Sequence, residues 1–154
     1  MNIGLIVYSK TGHTLSVARR LKEKLSAAGH AVTLEQLETV GPVSPNAMSV
    51  ELKTMPAIAA YDALVFGSPV WGGVPAAPIV SYLGQVPSLA GKKVACLVTG
   101  FFPAEWGRNQ TVARMKEICE SKGATVCGSG SVGWFRLDRK RQIADVVDHL
   151  SRLF

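Results

Sequence analysis

Apolar residues follow two patterns along this chain, short continuous runs and longer stretches in which they recur at regular intervals between polar residues. Short apolar runs predict five strands, at residues 3–8, 31–37, 63–67, 94–98 and 125–132. The third and fourth runs are apolar at consecutive positions, which is typical of parallel strands covered on both faces. Between the runs, apolar residues recur every three or four positions, which predicts amphipathic helices. The chain therefore alternates strand and helix, and it contains no repeat.

Residues at the ends of the helical stretches indicate where the helices begin and end. Glycines follow the first and third helical stretches, where C-caps are expected. Pro78 suits the first position of the second helix, and Asp138 can cap the last one. Prolines interrupt residues 38–61, and the apolar spacing from Met48 to Met55 predicts a connection with one or two helical turns.

Apolar strands that alternate with helices predict a parallel sheet with helices on both faces, which is an α/β fold. The length of 154 residues and the apolar share of 47% fit a single domain, residues 1–154, with a sizeable core. In such sheets, ligands bind beyond the carboxyl ends of the strands, where the strand order reverses. Functional residues are therefore expected after the first, third and fourth strands.

The first of these loops combines hydroxyl side chains with a glycine directly before a helix. It reads Ser9-Lys10-Thr11-Gly12-His13-Thr14. Backbone amides, hydroxyl donors and the positive end of a helix dipole suit one compact anion, so the loop predicts a phosphate site that His13 could face. An ordinary helix cap by Thr11 or Thr14 is the alternative, although a cap needs only one such residue. The spacing is not that of a nucleotide-binding P-loop.

Large aromatic side chains stand in the other two loops. The loop after the third strand reads Ser68-Pro69-Val70-Trp71-Gly72-Gly73, and the one after the fourth reads Thr99-Gly100-Phe101-Phe102-Pro103-Ala104-Glu105-Trp106-Gly107. Large apolar rings are costly in loops unless they cover something, and aromatic rings stack on flat heterocycles. The two loops therefore predict a site for a flat ring, with packing of loop against loop as the alternative.

The spacing Ser9-x-Thr11-Gly12-x-Thr14 after a first strand resembles the FMN-phosphate loop of the flavodoxin family. The loop with Trp71 and Gly72 is similar to that family's second flavin loop, in which an aromatic ring stacks on the isoalloxazine and the next glycine's peptide meets flavin N5. The resemblance implies a doubly wound, five-stranded parallel sheet of order 2-1-3-4-5, the short-chain form of the family, and FMN as the cofactor.

The third loop lies at the position of the family's third flavin loop, but its sequence differs from the acidic, tyrosine-containing loop that is usual there. Phe101, Phe102 and Trp106 are all candidates to cover the other flavin face. The cofactor-binding residues implied by the resemblance are Ser9, Lys10, Thr11, Gly12, His13, Thr14, Ser68, Pro69, Val70, Trp71, Gly72, Thr99, Gly100, Phe101, Phe102, Trp106 and Gly107.

A flavodoxin-like protein transfers electrons, and the resemblance leaves two versions of that role open. The first is an electron carrier between proteins, which needs no catalytic acid, base or nucleophile, because the flavin carries the electrons. The second is an NAD(P)H-dependent reductase of flavin, quinone or another small acceptor. A phosphate-sensing module without flavin is a third alternative, in which the aromatic loops would lack a purpose.

The charge of the chain differs from that of typical flavodoxins, which are acidic around the flavin. Lys and Arg outnumber Asp and Glu by 17 to 11, for a formal charge of +6. In the three loops, Glu105 is the only carboxylate, and Lys10 and Arg108 offset it. This balance predicts a redox partner protein with an acidic docking face. No nucleic acid is expected as a partner, because the basic cluster at residues 136–141 is not accompanied by a nucleic-acid-binding motif.

Other classes of protein are excluded by missing patterns. No apolar run approaches the ~20 residues of a membrane-spanning helix, and the N-terminus lacks a cationic signal region, so a cytoplasmic location without a membrane partner is expected. The cysteines, at positions 96, 119 and 127, are interpreted as small core residues, and no metal-ligand spacing occurs. Residues 128–133 match Gly-x-Gly-x-x-Gly, but too little chain follows for a dinucleotide site, so these glycines predict a close crossing of helix or loop.

Overall fold

The structure is a computed structural model that describes residues 1–47, 50–135 and 137–154. Its strands are β1 (Asn2–Val7), β2 (Ala31–Gln36), β3 (Ala63–Trp71), β4 (Val74–Pro75), β5 (Lys93–Gly100) and β6 (Thr125–Gly133). Its helices are α1 (His13–Ala27), α2 (Ala77–Gln85), α3 (Arg108–Ser121) and α4 (Arg139–Ser151), with a short 3-10 helix at Ala104–Trp106. Met48 and Arg136, which the predicted turn and basic cluster include, lie outside the described residues.

Five of the strands form a parallel sheet in the order β2-β1-β3-β5-β6, and β4 pairs with β3 in the antiparallel direction. The predicted order 2-1-3-4-5 is confirmed, because β5 and β6 are the predicted fourth and fifth strands. The short β4 is an addition. The strand order reverses between β1 and β3, so the carboxyl ends of these two strands flank the position where a ligand site is expected.

Alternate residues of the central strands enter two cores, one on each face of the sheet. Phe66 of β3 packs with Tyr82 of α2 on one face. Val65, its neighbour in the chain, packs with Leu21 of α1 and Leu150 of α4 on the other face. Each large apolar side chain buried in this way contributes about 1.5–3 kcal/mol to the free energy of unfolding. Helices on both faces, as predicted, follow from strands that are apolar on both sides.

The three cysteines lie on separate elements, Cys96 on β5, Cys119 on α3 and Cys127 on β6. Cys96 and Cys119 are fully buried in the core that contains Phe66, as predicted. The thiol of Cys119 and burial raise the pKa of Cys96, so the Cys96 thiol stays protonated at neutral pH. Cys127 is only partly buried, and its thiol donates a hydrogen bond to the carbonyl of Val94 at 3.3 Å.

The predicted loop after the third strand is a β-hairpin, so that prediction was wrong. β3 continues to Trp71, and its last two residues pair with β4. Gly72 and Gly73 form the turn with φ of 64° and 81°, the positive values that tight hairpin turns require. Because β4 has only two residues, it shows no periodicity in the sequence.

Other element boundaries also differ from the predicted ones. The described residues between β2 and β3 contain no helix, although one or two turns were expected there. The loop predicted after the fourth strand, residues 99–109, is shorter in the structure, because β5 extends to Gly100 and α3 begins at Arg108. No helix of the described residues has the length and apolar character needed to cross a membrane.

Two glycines of β6 mark where α4 crosses the sheet. A Cβ added at Gly130 would lie 2.5 Å from Cγ1 of Val146, and one at Gly128 would lie 2.6 Å from Cδ1 of Leu153. The interpretation of this glycine run as a close crossing is confirmed.

We expect Gly130→Ala to lower the free energy of unfolding by about 1–3 kcal/mol, because the added methyl group displaces Val146 or α4. Gly84→Ala is the matched control, since nothing lies within 4 Å of a Cβ at that position in α2. Urea denaturation followed by far-UV circular dichroism measures both variants. Equal urea midpoints for Gly130→Ala and Gly84→Ala would contradict the close crossing of α4 over β6.

Candidate functional site

The three predicted loops meet at one cavity of about 340 Å³ beyond the carboxyl ends of β1, β3 and β5. The lining residues are Ser9, Lys10, Thr11, His13, Thr14, Pro45, Pro69, Val70, Trp71, Thr99, Gly100 and Phe101. Of the other predicted site residues, Gly72, Phe102 and Trp106 line a neighbouring cavity, and Gly12, Ser68 and Gly107 are not among the lining residues of either cavity. The cavity occupies the position where the strand order reverses, which is where the fold class places a ligand site.

The loop between β1 and α1 brings the positive end of a helix to the cavity. Gly12 is the N-cap residue of α1, with φ of 92°, and the first turn has no acidic side chain. The Ser9 hydroxyl oxygen accepts hydrogen bonds from the amides of Gly12 at 3.1 Å and Leu15 at 3.3 Å. Ser9 therefore does the capping that the alternative interpretation assigned to Thr11 or Thr14. Thr11 remains exposed at the mouth of an anion-attracting helix terminus.

Thr14 and Thr99 connect the first loop to the third. Their hydroxyl oxygens lie 2.7 Å apart, and both residues are buried. One hydroxyl donates to the other, which leaves the second proton for another acceptor at the cavity. The pair holds the start of α1 against the end of β5.

Trp71 forms one wall of the cavity. Its ring lies edge-on to Tyr8, with centroids 5.4 Å apart at an interplanar angle of 84°. The Lys10 ammonium lies 5.8 Å from the centroid of the Trp71 ring and donates to the carbonyl of Val43 at 3.1 Å. A cation thus lies beside the aromatic wall.

The third-loop aromatics separate into two groups. Phe101 lines the cavity, and the His13 ring contacts it edge-on at 5.6 Å between centroids. Phe102 and Trp106 instead line a neighbouring cavity of about 260 Å³. These two rings are 66% and 71% exposed and lie 6.3 Å apart.

Three of the remaining predicted residues shape the backbone around the cavity. Ser68 is buried, and its hydroxyl accepts from the Ala76 amide at 2.9 Å and donates to the Pro69 carbonyl at 2.8 Å, which joins β3 to the start of α2. Gly72 lies in the hairpin turn. Gly107 precedes α3 with φ of 136°, and a Cβ there would lie 3.0 Å from Val70.

Two residues at the site were not predicted from the sequence. Pro45 lines the cavity from the segment after β2. Trp134 stacks on His13, with centroids 4.1 Å apart at 15°, and the Arg139 guanidinium lies 4.9 Å from the Trp134 ring. Burial and the Arg139 charge lower the pKa of His13, so this imidazole is neutral at pH 7. Trp134 directly follows β6, whose last residue pairs with Gly100, and its place just after the predicted fifth strand is the signal that could have identified it, because the carboxyl ends of parallel strands meet at one edge of the sheet.

Arg108, which was counted from the sequence among the cations that offset Glu105, is buried. It is 4% exposed and begins α3. Its Nε donates to the Phe102 carbonyl at 3.3 Å and its Nη1 to the Ser131 hydroxyl at 2.9 Å. The guanidinium therefore ties the third loop to β6.

The donor set of the cavity fits FMN. Hydroxyl groups and the N-terminus of α1 at one part suit a phosphate, while Trp71, Val70 and Phe101 offer an apolar wall for a flat ring. Among the described residues, no cluster of His, Cys, Asp and Glu suits a metal ion. Which atoms contact the cofactor stays a prediction.

The comparisons with known proteins agree with this geometry. Among solved structures, the chain is similar to Flavodoxin 2 from Bacillus cereus, with a TM-score of 0.73 and 22% identity over 100% of both chains. It is also similar to a flavodoxin, WrbA-like protein from Agrobacterium tumefaciens, with a TM-score of 0.70 and 15% identity over 98% of this chain and 97% of that one. A flavoprotein from Lactobacillus acidophilus, solved in complex with FMN, gives a TM-score of 0.65 and 21% identity over 94% of this chain and 97% of that one.

At these identities the similarity shows the fold. No curated protein sequence matches the chain. The family model for flavodoxin, however, matches residues 5–144. The chain therefore belongs to the flavodoxin family, and FMN, the predicted cofactor, is the cofactor of that family.

Proposed function

We propose that residues 1–154 form a single domain that binds FMN in the cavity at the carboxyl ends of β1, β3 and β5 and transfers electrons between redox partners. The observation that carries the proposal is that an anion-attracting loop and two aromatic side chains line the same cavity. Bound FMN supplies one-electron and two-electron redox chemistry, while the protein binds and orients it and sets its electrostatic surroundings.

The phosphate of FMN is assigned to the first loop. Thr11 is exposed there, and Ser9 already organises the amides of Gly12 and Leu15. The absence of an acidic side chain from the first turn of α1 leaves the helix dipole uncompensated. Together these groups favour a compact dianion over a neutral ligand.

The isoalloxazine ring is assigned to Trp71 and Phe101. Both rings line the cavity. Phe101 is supported by the His13 ring, which contacts it edge-on and which in turn stacks on Trp134. Phe102 and Trp106 are two-thirds or more exposed and line a different cavity. Of the three candidates in the third loop, we therefore select Phe101.

Phe101→Ala is expected to weaken FMN binding by about 1–3 kcal/mol, because stacking of one aromatic ring contributes about that much. Phe102→Ala is the matched control, since it removes the same side chain from the next position. Titration of the apoprotein with FMN, followed by quenching of flavin fluorescence, gives both dissociation constants. A larger loss for Phe102→Ala would contradict the assignment.

The proposed role is that of a carrier between proteins, with an NAD(P)H-dependent reductase as the second candidate. The similarity to the WrbA-like protein keeps the second candidate open. Anaerobic mixing of the FMN-loaded protein with NADH or NADPH distinguishes them. A carrier keeps its oxidised flavin absorbance over many minutes, whereas a reductase loses it rapidly. Rapid loss of this absorbance would therefore identify the protein as an NAD(P)H-dependent reductase.

The partner of the carrier is proposed to present an acidic face. The chain has a formal charge of +6, and Glu105 is the only carboxylate in the three loops. Association with such a partner is expected to slow as salt rises, because ions screen the attraction between exposed charges. The cytoplasmic location expected from the N-terminal sequence stays a prediction.

A further inference from the structure

Two adjacent loops beside the proposed flavin site carry most of the exposed large apolar side chains of the described chain. Five of the nine such residues lie there. Besides Phe101, they are Phe102 and Trp106 before α3, and Phe135 and Leu137 before α4. We call these last four residues the aromatic patch. Exposed apolar residues on a protein surface are normally scattered singly, so a cluster of them marks an interaction surface.

Backbone and side-chain contacts join the two loops into one surface. The Trp134 amide donates to the Gly100 carbonyl at 2.6 Å. Arg108 bridges the Phe102 carbonyl and the Ser131 hydroxyl of β6. The loops are therefore held side by side, and the aromatic patch has a fixed base.

Positive charge follows the aromatic patch directly. α4 begins with Arg139, Lys140 and Arg141, and its first turn contains no acidic residue. Arg139 donates to the Trp134 carbonyl at 3.1 Å, and Asp138 at the N-cap offsets part of the positive charge at this helix terminus. Lys140 and Arg141 are exposed. They therefore add a basic margin to the aromatic patch.

We infer that the aromatic patch, with the basic first turn of α4, is the surface on which an acidic redox protein docks. This inference rests on the proposed electron-transfer role and deepens it. Aromatic side chains with arginine are enriched at protein interfaces and supply most of their binding energy, while opposite charges steer the encounter. The partner has carboxylates around a protruding apolar side chain.

A recess between the rings favours a protein over a lipid surface. Phe102 and Trp106, with Val70 and Gly73, line the cavity of about 260 Å³ beside the flavin site. A protruding side chain of a partner fits such a recess, as hot-spot residues do in other interfaces. Docking there places the partner next to the cavity assigned to FMN, because Phe101 and Gly100 line both cavities.

The test uses the FMN-loaded protein and cytochrome b5, an acidic haem protein, as the probe, with binding measured by isothermal titration calorimetry. Phe102→Ser combined with Trp106→Ser is expected to weaken binding at least about tenfold. Met55→Ser, which removes an exposed apolar side chain elsewhere, is the control. Lys140→Glu with Arg141→Glu is expected to weaken binding several-fold and flatten its salt dependence. Lys22→Glu with Lys53→Glu changes the net charge equally away from the patch.

The outcomes separate the inference from the proposed function. Equal effects of the patch variants and their controls, or no binding of cytochrome b5 by the unmodified protein, would overturn the docking surface. Loss of FMN affinity in the Phe102 and Trp106 double variant would also overturn it, by assigning these rings to the cofactor. Binding to vesicles of phosphatidylcholine and phosphatidylserine that depends on the same residues would replace the protein partner with a membrane. Failure of the unmodified protein to bind FMN would refute the proposed function instead.

Discussion

Riboflavin, which lacks the phosphate of FMN, is expected to bind this protein at least about a hundredfold more weakly than FMN. Each hydrogen bond to a charged group contributes about 1.5–3 kcal/mol, and a helix N-terminus adds about 0.3–2 kcal/mol. Two such bonds together with the N-terminus of α1 exceed the ~2.8 kcal/mol that a hundredfold difference requires. Titration of the apoprotein with each flavin, followed by fluorescence quenching, measures the ratio.

A single substitution assigns this discrimination to the first loop. Thr11→Val removes one exposed hydroxyl, so it is expected to weaken FMN binding by about 1.5–3 kcal/mol and to leave riboflavin binding unchanged. Thr125→Val, at the start of β6 and the opposite end of the sheet, is the control. An equal loss for both flavins would show that Thr11 acts on the loop conformation and not on the phosphate.

Arg108→Glu is expected to lower the free energy of unfolding by roughly 3–6 kcal/mol, because two hydrogen bonds from a charged group are lost at a buried position. The new carboxylate would face the Phe102 carbonyl, which is itself an acceptor. Lys116→Glu makes the same charge change at an exposed position of α3. Urea denaturation of the apoproteins compares the two variants.

A less severe substitution keeps this prediction measurable if Arg108→Glu does not fold. Arg108→Gln retains hydrogen-bonding capacity and removes the charge, so a smaller loss of stability is expected. Midpoints of Arg108→Glu and Lys116→Glu that agree within error would show that the guanidinium does not hold the third loop to β6.

The sequence predicted the parallel sheet because burial leaves a local record, whereas the order of its strands was implied by the resemblance to the flavodoxin family. Consecutive apolar residues in the third and fourth runs reported strands covered on both faces, and the two cores around Phe66 and Val65 show that cover. The glycine run of β6 was interpreted correctly because side chains approach its backbone too closely for a Cβ, as Val146 does at Gly130. The loops of the candidate site were found for a similar reason, since their hydroxyls, glycines and rings follow strands directly.

Boundaries were harder to predict where a partner strand sets them. The sequence around Trp71 has the composition of a loop, yet two residues of β4 pair with it and extend β3. Pairing over two residues leaves no periodicity. In the same way, nothing local shows that the predicted loop after the fourth strand gives way to α3 at Arg108.

The sequence by itself determined the fold class and the three loops that form the site, because the periodicity of apolar residues reports the environment of each element, and the strand order came from the resemblance to the flavodoxin family. Only the tertiary structure decided which distant residues meet. The Thr14 hydroxyl is hydrogen-bonded to that of Thr99, and Trp134 stacks on His13. Phe101 lines the cavity assigned to FMN, whereas Phe102 does not. Those contacts depend on the register of β5 and β6 and on the approach of separate loops, and the spacing of residues within one element carries no record of either.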